Sequence, residues 1–409
     1  MITLLKGGRL LDCVGDEPRE AAAVVVEDGL IKEVAEGDVH PPDQAQVVDV
    51  RGMTILPGLT DAHQHSAIPY MDMLKAFTAP VLLTALAMKD GLERTLQGGF
   101  TTVAEMGFGN LTLKRALEDG AIKGPRMLLA CGMLSKTGGH ADFMSMEGVI
   151  IKDTGLLSFP RLCDGVAECL KAVREQFRAG ADHIKVMATG GGASPYDTPF
   201  DSGFREDELR AIVEESREMG RPVRAHCLND EGLKRAVKCG VTAVEHGFFM
   251  SQESAAEMKR RGTFLVPTIT VLQMIKKHGR EWGAAEHLER KTSEIDALGA
   301  QMAATELGHR IGLKIASASD AWAKMRGMEG WEIKFKTECG FSPYEAVKSA
   351  TKVNAELFGL ADKMGTLEPG KWADLIVVDG RPEEDGGLFC DPDKVRLVMK
   401  GGRICKNTI

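Results

Sequence analysis

The chain lacks several things that would have set its class. No apolar run approaches the roughly 20 residues needed to span a bilayer, so a membrane role is not expected. No block of about five or more like charges occurs, and no basic stripe stands out. That gives no reason to expect a nucleic-acid partner. The nine cysteines are odd in number and include no C-x-x-C pair. A disulfide framework is therefore not expected, and most of them read as small buried apolar residues. The opening stretch "MITLLKGGRLLDCVGDEPRE" does not read as a signal peptide. Lys6 and Arg9 interrupt its apolar run, and acidic residues follow at once. A reducing cytoplasm is the expected location. No G-x-G-x-x-G follows the first strand, and "TGGGAS" at 189–194 has no Lys-Ser/Thr ending. Neither a dinucleotide fold nor a P-loop is indicated.

What remains is ordinary globular composition: 409 residues, 44% hydrophobic, 27% charged, with a net charge of −8. The two ends share a β-rich texture. Asp28-Gly29 splits one apolar segment and Gly401-Gly402 splits another, each a hairpin signal. Residues 1–57 and 360–409 are expected to form one small β-sandwich domain.

Residues 58–359 alternate short apolar runs with longer amphipathic segments. The runs are 101–106, 126–132, 182–191, 222–227, 242–247, 263–268 and 314–320, joined by the one ending at His65. Eight strand–helix units suit an α/β fold of the (β/α)8 TIM-barrel type. An open doubly wound sheet is the alternative. The last helix is well punctuated in "SPYEAVKSATKVNAELFG": Ser342 as N-cap, Pro343 at the first position, Glu345 completing a capping box, Gly359 at the end.

Polar residues recur at the strand ends. His63 and His65 in "LPGLTDAHQHSA" are two apart, so on a strand they project to one face. Lys185 sits inside "HIKVM", His226 in "VRAHC", His246 in "AVEHG", and Asp320 closes "IASASD". The C-terminal ends of barrel strands are where such enzymes hold their chemistry. Burying these groups unpaired would cost several kcal/mol per charge. A divalent ion offsets that cost, and imidazole with carboxylate suits Zn²⁺ and similar ions.

With "ILPGLTDAHQH", "TGGHAD", "IKVMATGG", "VEHG" and "GTLEPGKWADLIVVD" in place, the chain resembles the metal-dependent amidohydrolase superfamily. It is most similar to the imidazolonepropionase- and prolidase-like amidohydrolases. The resemblance implies a centre of two divalent metal ions, most simply zinc. His63 and His65 would hold one ion, and His226 and His246 the other. A carboxylated Lys185 would bridge the ions, and Asp320 would both ligate metal and move protons. A carbamate turns the repelling ammonium into an anion able to span ions roughly 3.5–4 Å apart. His140 in "SKTGGHADF" would bond the substrate carbonyl or carboxylate, and Tyr196 is expected to line the pocket. His40, His183, His278, His287 and His309 fit no motif, and Cys227 should face away from His226.

The implied activity is hydrolysis of an amide-type C–N bond by attack of a metal-bridged hydroxide. The expected substrate is a small molecule, a dipeptide such as Xaa-Pro or an N-acyl amino acid. Peptide-cleaving relatives carry His-Ala-Tyr after the fifth strand, whereas this chain has "AHCL" with Leu228 at the tyrosine position. That favours the alternative of a carboxylate-free amide, urea or lactam. A non-catalytic scaffold is a third reading, opposed by the complete ligand set. A homo-oligomer is expected from what is common in the family.

Overall fold

A computed structural model describes residues 2–37, 39–41, 43–143, 155–194 and 196–409. The two chain ends meet in one eight-stranded sheet. Strand Ile2–Leu10 pairs antiparallel with Arg19–Glu27, which turns at Asp28-Gly29 into Leu30–Glu36. Both turn residues have positive φ, +51° and +86°, as a two-residue hairpin of matching twist requires. Gly401 and Gly402, at +55° and +75°, do the same between Val395–Lys400 and Arg403–Asn407. Thr54–Pro57 pairs with Leu375–Val378 and joins the two ends. Leu5, Leu10, Val24, Ile31, Ile55 and Leu375 pack as this sandwich's own core.

A single residue, Gly58, separates Pro57 from the barrel's first strand, Leu59–Gln64. The corner needs Gly58, because a Cβ there would lie 2.3 Å from Thr101 Oγ1. The second strand is Phe100–Glu105. The third runs through Arg126–Leu129 and resumes at Leu134–Ser135. The fourth to seventh are Ile184–Met187, Val223–Cys227, Ala243–His246 and Phe264–Val266. All pair in parallel, in chain order. Strands four to seven are buried along their whole length, as a parallel sheet covered by helices requires.

Two elements depart from the sequence reading. The eighth stave, 314–321, is not a regular strand. It meets its neighbours through bridges at Leu265–Ile315 and Gln64–Ala321 and through scattered backbone bonds, such as Ala62 N–H to the Ser317 carbonyl (2.9 Å) and Asp320 N–H to the His63 carbonyl (2.8 Å). Side chains add to these. Asp61 accepts from the Ser319 N–H (3.0 Å) and hydroxyl, Asn354 accepts from the Ser317 N–H (2.9 Å), and Lys336 donates to the Ala316 carbonyl (2.5 Å). The last helix begins as expected, with Ser342 and Glu345 forming the capping box around Pro343. It then loosens into a π-turn over Ser349–Val353 before finishing at Asn354–Leu357. Beyond that π-turn, the Asn354 amide bonds the carbonyls of Thr60 and Ser317 (3.0 and 2.8 Å), stapling the first stave to the eighth.

Candidate metal centre

At the C-terminal mouth of the barrel, His63, His65 and Asp320 offer ligand atoms that all lie within 4.8 Å of one another. Asp320 Oδ1 is 3.5 Å from His63 Nε2 and 3.4 Å from His65 Nε2. The His63 ring is 5.1 Å from the His246 ring, which is 4.7 Å from that of His226. His140 stacks on His226 at 4.5 Å. Lys185 lines the same cavity. Its Nζ is buried without a hydrogen-bond partner among the described residues.

Backbone strain marks the site. His246 and Asp320 have φ of +66° and +53°, a left-handed region unusual for residues with side chains. At His246 the consequence is concrete. Regular alternation would send Glu245 and His246 to opposite faces, yet both reach the barrel interior: Glu245 Oε2 lies 2.7 Å from His63 Nδ1. Glu245 also accepts two bonds from Arg224, at 2.8 and 3.1 Å. His63 Nδ1 therefore carries its proton toward the carboxylate, and Nε2 is left to face Asp320. The remaining imidazoles are oriented too. His246 Nδ1 meets Thr268 Oγ1 at 2.8 Å, and His226 Nε2 meets the Gly190 carbonyl at 3.2 Å. His65 Nδ1 lies 3.5 Å from the Gly107 carbonyl.

Electrostatics suits a cation. Burial, then the Lys185 charge, push His63 well below the ordinary histidine value and hold His65 at about 4. Burial also lowers His226 and His246. Neutral imidazoles are the form that binds metal. Burial brings Lys185 down to about 8 against the pull of Glu245 and Asp320, and it raises Asp320 to about 7 against the pull of Lys185. An orphaned lysine nitrogen among neutral imidazoles and one carboxylate is a costly arrangement without a partner. The donors present fit divalent ions, with His63, His65, His226, His246 and Asp320 as ligands. The Lys185 ammonium would repel such ions, whereas a carbamate there could join the ligands.

The structure thus brings together the six residues expected to hold metal, and His140 beside them. Tyr196 lies elsewhere: it is 55% exposed and does not line the cavity. His183 is a buried core residue whose Nε2 meets Met106 Sδ at 3.1 Å, and Cys227 is buried away from the cavity. Leu228 does line it. Sequence reasoning missed Glu245, Arg224 and Asp61. Charged residues inside otherwise apolar strands next to ligand histidines were the available signal.

The amidohydrolase family pattern matches residues 54–405. Ochratoxinase of Aspergillus niger is 31% identical over 99% of this chain and 87% of its own length. A solved prolidase complexed with N-methylphosphonate-L-proline superposes with a TM-score of 0.94 at 34% identity, covering 100% of both chains. A Xaa-Pro dipeptidase with methionine bound in its active site gives 0.88 at 30% identity, over 99% of each chain. With this coverage and this mouth geometry, the chain belongs to the amidohydrolase family and is a metal-dependent hydrolase acting on C–N bonds.

Proposed function

We propose that the enzyme hydrolyses the amide bond of a small Xaa-Pro-type dipeptide or an N-acyl amino acid. Two divalent ions, zinc by the chemistry of the donors, would be held by His63, His65, His226, His246, Asp320 and a carboxylated Lys185. The observation that carries the reading is the buried, partnerless Lys185 nitrogen facing the four histidines and Asp320. Likeness to the prolidase and dipeptidase structures supports the substrate class.

When bound, the ions acidify a water and polarise the scissile carbonyl. The chain's residues do the rest. Neutral Lys185 amine adds CO₂ and loses one proton, giving a carbamate with two oxygen donors. Asp320 accepts the proton of the attacking water and passes it to the leaving nitrogen, a transfer worth roughly 10²–10⁴-fold. His140, stacked on His226, hydrogen-bonds the bound substrate. The pocket walls are apolar: Phe108, Met133 and Phe143 on one side, Leu272, Ile275 and Leu288 on another. They keep water away and select apolar flanking groups.

A second reading, a carboxylate-free amide, urea or lactam, is favoured by Leu228. Among the described residues no arginine lines the cavity to meet a substrate carboxylate. We also propose that residues 1–57 and 360–409 act as a supporting domain to a barrel of 58–359, and that the nine free thiols suit the reducing cytoplasm.

A panel of Xaa-Pro, Xaa-Arg and N-acyl amino acids, run against aryl amides and ureas on protein of measured metal content, tests the proposal. Turnover confined to the carboxylate-bearing amides is expected. Turnover confined to aryl amides or ureas would replace it with the second reading. A metal-free, folded, inactive protein would end both.

A further inference from the structure

The glycine-rich stretch "TGGGASPYD" at 189–197 is not a phosphate loop, and beyond the Gly190 carbonyl that meets His226 the hydrolytic residues above leave it without a role. In the structure it encloses His140. Asp197 Oδ2 accepts from His140 Nδ1 at 3.0 Å and from the Gly191 N–H at 2.8 Å. The His140 ring lies between this loop and the His226 ring, 4.5 Å away and tilted by 20°. A Cβ on Gly191 would fall 2.2 Å from His140 Cε1, so only glycine lets the ring lie there. Asp197 is itself fixed. Its side chain is 2% exposed, and Lys291 donates to the Asp197 and Ser194 carbonyls, the latter at 2.7 Å. His287 holds the Ala193 carbonyl at 2.9 Å. Both come from the helix Glu286–Glu294, which also supplies Leu288 to the cavity wall.

We infer that Asp197 and Gly191 are positioning residues that fix the tautomer and aim of His140. A carboxylate offers no proton, so the facing Nδ1 must carry one. The ring then has a single orientation, with the unprotonated Nε2 turned to the cavity, where it accepts a hydrogen bond from the substrate. A loop that merely filled space would not need a buried acid bonded to a cavity histidine, tied in turn to a neighbouring helix. The inference rests on the proposed hydrolytic reading for its effect on rate, though not for the bond itself.

Two measurements on the metal-loaded enzyme test it. In protein labelled with ¹⁵N-histidine, with His140 assigned through H140Q, long-range proton–nitrogen spectra should show a protonated Nδ1. D197N should move that signal toward the unprotonated or averaged position. In kinetics on the amide that the parent cleaves fastest, D197N should lose about 10²-fold or more in kcat, with KM, metal content and unfolding midpoint near the parent's. The double variant H140A/D197N should be no slower than H140A, because Asp197 acts through that ring. An unchanged His140 signal, a parental kcat in D197N, or losses that multiply in the double variant would each overturn the inference. Should D197N fail to fold, G191A, whose new methyl displaces the ring, is read by the same criteria. If no amide is cleaved, the hydrolytic reading falls while the nitrogen spectra still decide the His140–Asp197 bond.

Discussion

Glu245 lies 2.7 Å from the inner nitrogen of His63 and is held on its other side by Arg224. Three buried groups from three staves thus set the direction in which one imidazole presents its free lone pair. Outer partners of this kind typically carry 10–100-fold in metal affinity. Glu245→Gln should weaken metal retention by that order, read by competition with a chromophoric chelator. An affinity equal to the parent's would reduce Glu245 to a packing role.

Lys185→Met removes the one lysine among the described residues lining the cavity, and with it the carbamate that could bridge two ions. Metal analysis should show the loss of at least one bound ion, and activity should fall to background. Millimolar formate or acetate, which can supply two oxygens to the vacated space, should restore part of the activity. A variant that keeps both metal and turnover would show that Lys185 is an ordinary buried lysine.

Asp320→Asn should keep most of the metal, because the histidines remain, but lose turnover by roughly 10²–10⁴-fold with the proton acceptor gone. Metal content and kcat are measured on the same preparation. A large loss of metal would make Asp320 chiefly a ligand, and parental turnover would remove it from proton transfer.

Glu105 is fully buried at the end of the second strand, where it accepts from the Gly107 N–H at 3.0 Å. Burial raises its pKa from 4.5 to about 8. The folded state therefore holds this proton between those values while the unfolded state has released it. Stability from this group is full below about 4.5 and declines as pH rises toward 8, by up to about 1.4 kcal/mol per pH unit. Glu105→Gln removes the titration. Urea unfolding at pH 5 and pH 8 should show the variant gaining on the parent at the higher pH, and a constant gap between the two would contradict this.

Much of the architecture was legible because strand–helix alternation is a regular signal and because ligand residues recur where staves end. The Ser342 capping box and the two positive-φ hairpins could be read from a few residues each. Other features depend on tertiary context. Nothing local announces that His246 takes a left-handed backbone, so strict alternation sends Glu245 away from the centre it serves. The π-turn before Asn354 sits in a segment whose periodicity reads as continuous helix. Asp197 lies on a loop, where spacing carries no directional information, and the expected pocket residue, its neighbour Tyr196, is exposed instead.

The eighth stave carries Asp320 and is held by scattered backbone bonds to the seventh and first staves together with Asp61, Asn354 and Lys336. A bound cation that engages Asp320 should slow the exchange of this stave's amide protons for deuterium. The seam where the cylinder shuts would then report, hydrogen by hydrogen, whether the enzyme is loaded.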